Sequence, residues 1–517
     1  MTPERTDRQS DAPEPAPDQA QKRKTTALSR RALITGGTML GVGVAAAAIA
    51  ATRPGSGSSA ATGQATPSAS STAQPVLRSF VSSDLTVPAI TSWKTGTTAP
   101  GFVFVTQQVT GFNGAIVREN GEPVWIEPTK ANVTDLKVQT YRGEPVLTYW
   151  TGKSTGGHGA GQGKILDSTY ATIATVSAGN GLDADLHEFN LTDRGTALVT
   201  VYATKPADLS SIGGPKNGYL YDCHVQEIDV ETGKVLLDWD ALDHIPVSET
   251  YLGLTQDAGH DGTTAGRAFD AYHLNAVEED GDRLLVSARH THTIYSIDRA
   301  TGDVKWRFGG KKSDIAVQKD AVFAWQHDVR RHDDGTITLF DNHLYSGTDG
   351  ASRGLKFSLD TGETTATLEQ EYRYDNHLGT AMGSVQVLPN GNVLVGWGTD
   401  PAVTEFTAAG DAVYEATLGA ISYRASRHAW VAHPTTAPSV AVRSEGGGMR
   451  VFASWNGATE VHSWRVLAST SGEPAPVGTV KRSGFETSLL VKQAQHVAVQ
   501  ALDANGEVLA ASKTISV

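Results

Sequence analysis

Four runs decide how the chain is read: Asp270-Ala-Tyr-His273-Leu-Asn275-Ala-Val277, Arg283-Leu-Leu-Val-Ser-Ala-Arg289-His290, Ile294-Tyr-Ser-Ile-Asp298-Arg-Ala-Thr-Gly302-Asp-Val-Lys-Trp306 and Trp325-Gln-His327-Asp328-Val329. Period-2 alternation broken by Thr-Gly turn signals predicts short antiparallel strands. In a strand, residues two apart share a face, so His273 and Asn275 are expected to point the same way. Two neutral donors beside a guanidinium and a further imidazole would seat a tetrahedral oxyanion.

Working outward, one unit recurs between about 76 and 435: a β run, a turn, and a second β run ending on an aromatic. It appears at Ala115 to Trp125, Val225 to Trp239, Ile297 to Trp306, Phe357 to Thr364 and Glu405 to Tyr414. Most copies follow another strand, at Gly195-Thr-Ala-Leu-Val-Thr, Asp282-Arg-Leu-Leu-Val-Ser, Gly335-Thr-Ile-Thr-Leu-Phe or Gly391-Asn-Val-Leu-Val-Gly. Repetition at roughly 50 to 70 residues predicts an all-β fold, a six-bladed β-propeller over 76–435, in preference to a two-sheet sandwich. Beyond Pro434 the composition changes. Short strands around Met449-Arg-Val-Phe-Ala-Ser-Trp455 and Val497-Ala-Val-Gln-Ala-Leu502 predict a small fibronectin- or immunoglobulin-like β-sandwich over 436–517, without candidate chemistry.

The N-terminal segments read differently. Residues 1–28 are polar and Pro-rich, predicting disorder. Ser29-Arg30-Arg31-Ala-Leu-Ile leads into Leu40-Gly-Val-Gly-Val-Ala-Ala-Ala-Ala-Ile-Ala50, which makes 29–51 a twin-arginine export signal. A membrane anchor is the competing reading, but the run is short and Ala/Gly-rich for a stable span. Export in folded form through the twin-arginine machinery is therefore expected, to the cell envelope or beyond, with membrane contact only in transit. Residues 52–75 are a Ser/Thr/Ala/Gly/Pro-rich linker.

Composition narrows the function. The 517 residues are 39% apolar, 19% charged and carry 54 glycines, a mix that suits many strands with tight turns. The formal net charge of −13, without a basic cluster in the globular part, argues against nucleic acid. Cys223 is the single cysteine, so an intramolecular disulfide is excluded, and its apolar strand context marks it as a packing residue.

The histidines fall into a pattern. His187 precedes the strand at Gly195. His273 precedes the strand in which Arg289 is expected, His327 the one at Gly335, and His377 the one at Gly391. In a propeller the first strand of each blade lines the axis, so equivalent positions converge. Imidazoles are also metal ligands. Arg289 and Asn275 suit a cation poorly, however, and no carboxylate cluster accompanies them, so the set reads as an anion seat. Three function classes stay open: group transfer on an anionic substrate, a metal-dependent propeller hydrolase, and a non-enzymatic exported module that binds an anion.

At these residues the sequence resembles the bacterial arylsulfotransferase (aryl-sulfate sulfotransferase) family, over roughly 90 to 435. The matching elements are His187-Glu188, His273-x-Asn275, Ser287-x-Arg289-His290, Gln326-His327-Asp328 and Met382-Gly-Ser-Val-Gln386-Val-Leu-Pro389-Asn-Gly391-Asn392. The resemblance implies a six-bladed propeller, export, and sulfuryl transfer from a phenolic sulfate donor to a phenol acceptor without a nucleotide donor or other cofactor. It also implies that His327 is the nucleophile, transiently sulfated. His187, His273, Asn275 and Arg289 would hold the sulfuryl oxygens and handle the proton. Which histidine acts as acid or base stays open. The single cysteine and the added C-terminal unit are departures from the family's best-known branch.

Overall fold

Alternation is strongest in the outer hairpins. In Val304–Gly309 exposed and buried side chains take turns, whereas Arg283–Ala288 is buried almost throughout. A strand with one covered face alternates; a strand packed on both faces reads as a continuous apolar run. The computed structural model describes residues 75–256, 259–343 and 351–517, and among these the chain is all-β, interrupted only by short 3-10 turns. The predicted disordered N-terminus, the twin-arginine segment and the linker up to 74 lie outside the described residues.

Apart from Ala316–Val317, which pairs in parallel with Thr365–Tyr372, the described strands from 102 to 428 form six antiparallel four-stranded meanders. Sheet one runs Val133–Tyr141, Glu144–Thr155, His158–Leu166, Thr172–Ser177, and sheet two Ala184–Leu191, Thr196–Ala207, Gly218–Asp229, Val235–Asp240. A bridge at Ala184 and Gly161 joins these two. Sheet three runs Leu274–Asp280, Arg283–Ala288, Thr293–Asp298, Val304–Gly309. Sheet four runs His327–Arg331, Ile337–Asp341, Arg353–Leu359, Thr365–Tyr372. Sheet five is Ser384–Val387, Val393–Gly396, Ala402–Phe406, Ala412–Thr417, edged by Thr91–Lys94. Sheet six combines distant parts of the chain: its first strand is Ser422–His428, and the other three are Phe102–Gln108, Phe112–Val117 and Pro123–Ile126.

The first strands touch in succession through all six sheets, and the sixth returns to the first. Six apolar clusters lie between successive sheets, including one between sheets six and one built on Phe104, Ile116, Val133 and Leu147. The aromatics that end the hairpins help here: Trp239 of sheet two is buried and donates its indole N–H to the Gly302 carbonyl in the outer turn of sheet three at 3.0 Å. Gly302 holds φ +80° in that turn, a conformation open to glycine without cost.

Five of the first strands carry a bulge, between Thr134/Lys137, Ala184/Phe189, Leu274/Ala276, His327/Arg330 and Ser422/Ala425. A bulge re-aims side chains and ends strict alternation. C-terminal residues form two further antiparallel sheets over Ser439–Glu445 to Ile515–Ser516 around one apolar cluster containing Val451, Trp464 and Val499. Asn456 docks this unit on sheet six, accepting from the Ile126 N–H at 2.9 Å and donating to the Ile126 carbonyl at 2.8 Å. Cys223 is fully buried, and burial pushes its thiol well above the ordinary range.

Candidate active site

Three corners of sheets two, three and four bring the imidazoles together. In sheet two, Asp185 and His187 lie in the bulged part of Ala184–Leu191. Asp185 Oδ2 accepts from the His187 backbone N–H at 3.0 Å and lies 2.5 Å from its Nδ1. In sheet three the corner is Asp270-Ala-Tyr-His273, where His273 stands outside the strand at φ +55° with Nδ1 2.5 Å from Asp270 Oδ2. The His187 and His273 rings meet edge to face, centroids 4.8 Å apart, and His273 and His290 follow at 4.7 Å. A carboxylate on Nδ1 fixes the ring so that Nε2 faces the site.

The expectation that His273 and Asn275 share a strand face is therefore corrected: the left-handed residue and the bulge after Leu274 break the period. Asn275 is fully buried and donates to the Gln326 carbonyl at 2.8 Å, bracing the residue before His327. Arg289 likewise lies beyond the strand, which ends at Ala288, in a short turn. Its Nη1 donates to His290 Nε2 at 2.9 Å, its Nη2 to the Thr380 carbonyl at 3.2 Å, and its guanidinium lies over Trp325 with 4.8 Å to the ring centroid.

His327 opens Leu339's neighbouring strand, paired with Phe340. Its Nδ1 is 2.6 Å from Asn342 Oδ1, and its Nε2 accepts from the Met382 backbone N–H at 3.2 Å. Burial first, and then the charge of Arg289, hold the His327 pKa well below the ordinary imidazole value. Burial and the neighbouring His187 and Arg289 do the same to His273. Both rings are neutral near pH 7. His377 is not part of this register: it sits in the loop before Ser384–Val387, stacked on Trp397 with Nδ1 3.0 Å from Asp400. The residue that sheet five contributes is Met382, through its backbone.

Sequence reasoning found no carboxylate cluster, and the structure corrects this too. Below the imidazoles, Arg424 Nη1 reaches Asp135 at 2.6 Å and Glu188 at 3.0 Å. Arg330 reaches Glu188 at 2.9 Å, Glu278 at 3.0 Å and Asp328 at 2.6 Å, and Lys137 reaches Asp135 at 2.9 Å. Burial pushes the Glu188 carboxyl up, but Arg330, Arg424 and Lys137 outweigh it and hold it well below the ordinary range. The acids missed behind the histidines were visible as Asp185-x-His187 and Asp270-x-x-His273. Asn342 carried no sequence signal, and Met382 stood at the head of a motif without its backbone N–H being marked as the contributing group.

Asp270, His273 and His290 offer donor atoms within 4.8 Å of one another. The His290 nitrogens are already engaged: Nδ1 donates to the Asp270 carbonyl at 2.6 Å, and Nε2 receives the Arg289 guanidinium. A fixed cation at that nitrogen opposes a metal ion and favours an anion. Beside Trp325 opens a cavity of about 1310 Å³ whose wall includes Tyr251, His292, Phe323 and Arg373. Tyr251 and His292 stack there at 4.1 Å, and burial pushes His292 down to about 3.

This arrangement of a neutral, oriented imidazole beside a guanidinium coincides with a match to the family model described as arylsulfotransferase (ASST) over residues 137–419, more than half of the chain. The chain belongs to the arylsulfotransferase family. It is a sulfotransferase acting on aryl sulfate donors and phenol acceptors. All five predicted site residues lie within the matched span, and the C-terminal unit lies outside it. No curated protein sequence matches the chain. Among solved structures, a protein of unknown function from Bacteroides caccae is 13% identical, covering 63% of this chain and 98% of its own, with a TM-score of 0.38. A protein of unknown function from Dyadobacter fermentans DSM 18053 is 13% identical over 79% of this chain and 100% of its own, TM-score 0.36. A streptogramin B lyase is 13% identical over 64% and 97%, TM-score 0.30. At these scores the likenesses carry no argument.

Proposed function

We propose that this arylsulfotransferase works through a sulfohistidine at His327, without a nucleotide sulfate donor, at the axis of a six-bladed propeller formed by the six meanders over 76–435. The ring of first strands and the six intersheet clusters support the closed reading, and the two sheets after Ser439 support a C-terminal sandwich. On this reading the Arg30-Arg31 signal would carry the enzyme out of the cytoplasm, to the envelope or beyond. The observation that carries the mechanism is the His327 environment: a buried, uncharged imidazole with its Nδ1 tied to Asn342 and Arg289 close enough to depress its pKa.

In the first half-reaction the lone pair on His327 Nε2 forms an N–S bond, and the bond from sulfur to the aryl oxygen breaks. The leaving phenolate keeps the electron pair and takes a proton. In the second, the acceptor phenol gives up its proton, its oxygen bonds to sulfur, and the N–S pair returns to Nε2. The proton consumed in the first half is returned in the second. Splitting the transfer in this way is nucleophilic catalysis with a ring that is nucleophilic when neutral. Sulfuryl transfer, like phosphoryl transfer, asks mainly for in-line positioning and neutralised equatorial oxygens. Arg289 supplies a permanent charge, His187 and His273 hold or move the proton, and Asn275 acts by fixing the backbone ahead of His327. Trp325 with Tyr251 and His292 offers the flat wall an aryl ring needs.

The test is transfer from a nitrophenyl sulfate with and without added phenol, with intact mass read after an acid-free quench. Acceptor-dependent nitrophenol release with a transient sulfate adduct on His327 is expected. His327→Ala should lose at least about 10³-fold in rate while staying folded. A folded His327→Ala protein that turns over like wild type would remove His327 from this role.

A further inference from the structure

We infer that Asn342 is the positioning residue that makes Nε2 of His327 the nucleophilic nitrogen and holds the Met382 N–H facing it. The inference rests on the sulfohistidine reading for its catalytic meaning, but its geometry stands apart from that reading.

The amide of Asn342 is fully buried and each of its atoms has one role. Its Nδ2 donates to the Gly379 carbonyl at 2.6 Å and to the Met382 carbonyl at 3.0 Å. Carbonyls only accept, so both amide hydrogens are spent there, and the atom 2.6 Å from His327 Nδ1 is the amide oxygen. An oxygen acceptor requires the proton on Nδ1. A neutral imidazole has one proton, so Nε2 carries the lone pair. An independent contact agrees: the Met382 N–H, which can only donate, points at Nε2 from 3.2 Å.

The same residue fixes the segment that supplies this donor. Gly379 donates its N–H to Ser352 Oγ at 2.9 Å, and Ser352 Oγ donates to the Asn342 carbonyl at 3.2 Å. Arg289 clasps the Thr380 carbonyl between them. Met382 then stands at φ +65° and Gly383 at φ +106°, a backbone held by its surroundings and not by its own preference. Asn342, Ser352 and Arg289 thus hold the segment that aims a backbone N–H at His327 Nε2. When Nε2 bonds to sulfur, positive charge develops on the ring, and the bond from Nδ1–H to the Asn342 oxygen strengthens as that charge grows. When the pair leaves Nε2 for sulfur, the Met382 N–H loses its acceptor and is free for a sulfuryl oxygen, a donor that gains its partner as the reaction proceeds.

Two variants separate this from a purely structural role. Asn342→Leu removes the acceptor, and turnover is expected to fall about 10²- to 10⁴-fold, the range for losing the correct tautomer of a catalytic imidazole. Asn342→Asp keeps an oxygen opposite Nδ1 but loses both donors to the 379–382 segment. It should recover at least tenfold over Asn342→Leu, and its carboxylate should move the acid limb of the rate upward by about one pH unit or more. A structural role alone predicts that the aspartate is as poor as the leucine and that the profile does not move. The tautomer itself is read from imidazole nitrogen shifts of histidine-labelled full-length protein, with His327→Gln identifying the signal. Wild type should show His327 protonated on Nδ1 alone, and Asn342→Leu a mixture. A wild-type proton on Nε2, or an unaltered tautomer in Asn342→Leu, would overturn the inference. These shifts do not depend on turnover: a wild-type protein without sulfuryl transfer but with the expected tautomers fails the sulfohistidine reading and leaves the role of Asn342 intact.

Discussion

Three imidazoles of the site are withdrawn from solvent, His290 and His327 buried and His273 largely so, and desolvation pushes each well below its ordinary value. The sign of the consequence follows from linkage. Above about pH 6.5 both folded and unfolded chains hold these rings neutral, so they contribute no pH dependence. As pH falls below 6.5 the unfolded chain takes up protons that the folded chain refuses. Stability therefore falls with acid, by up to about 1.4 kcal/mol per pH unit for each ring. Glu188 acts in the same direction at lower pH: its folded value lies below the unfolded one, so its contribution is present above about pH 4.5 and lost as pH drops further. Thermal unfolding followed from pH 8 to pH 5 should show a declining midpoint below 6.5, with a shallower decline in His273→Gln. A midpoint that is flat between 6.5 and 5 would contradict the burial of neutral rings. The rate of the first half-reaction should correspondingly keep its plateau below pH 6.5.

At the scale of elements, the site depends on strands that depart from regular alternation. The bulge between His327 and Arg330 leaves Asp328 at φ +59°, with its Oδ2 accepting from Val385 at 2.9 Å and its Oδ1 from Arg330 at 2.6 Å. The ring side chain of His327 can then face one way while the next carboxylate serves the ion cluster. Sheet six shows another dependence. Its first strand comes from Ser422–His428 and its second from Phe102–Gln108, and Gly101 enters that pair at φ +120°, where an added Cβ would collide with the His428 carbonyl. No L side chain tolerates that backbone or that approach. Gly101→Ala should cost about 2–3 kcal/mol in chemical unfolding, since both strain and the loss of a ladder contact act on the same strand pair. A neutral result would mean that this pairing does not secure the sheet.

For the whole molecule, the buried ion cluster ties first strands from five sheets into one unit. Asp135 and Lys137 come from sheet one, Glu188 from two, Glu278 from three, Asp328 and Arg330 from four, and Arg424 from six. Buried ion pairs add little net stability over apolar packing, but removing one partner strands the others without compensation. Arg424→Met should therefore destabilise by about 3–5 kcal/mol. Combined with Glu188→Gln, the loss should be less than the sum of the two single changes, because both act on one network. Denaturant unfolding of the three variants measures this, and additive losses would show the pairs to be independent.

Much of this protein was legible in one dimension. The outer hairpins at Val225 to Trp239, Ile297 to Trp306 and Glu405 to Tyr414 are visible because their periodicity, turn glycines and terminal aromatics are local, and local preferences do not need the rest of the chain. His187, His273, Arg289 and His327 were legible because the repeat places them just before or after comparable strands, and their residue types carry the chemistry. The tertiary structure decided the rest. Sheet six joins residues more than 300 apart, which no window of sequence contains. His273 left the strand face because its backbone turned left-handed, and His377 fell outside the register because its loop is longer than spacing suggested. Asn342 and the Met382 N–H joined His327 only through folding: an amide and a backbone donor carry no distinctive sequence mark, and their roles come from which acceptors the buried neighbours leave open.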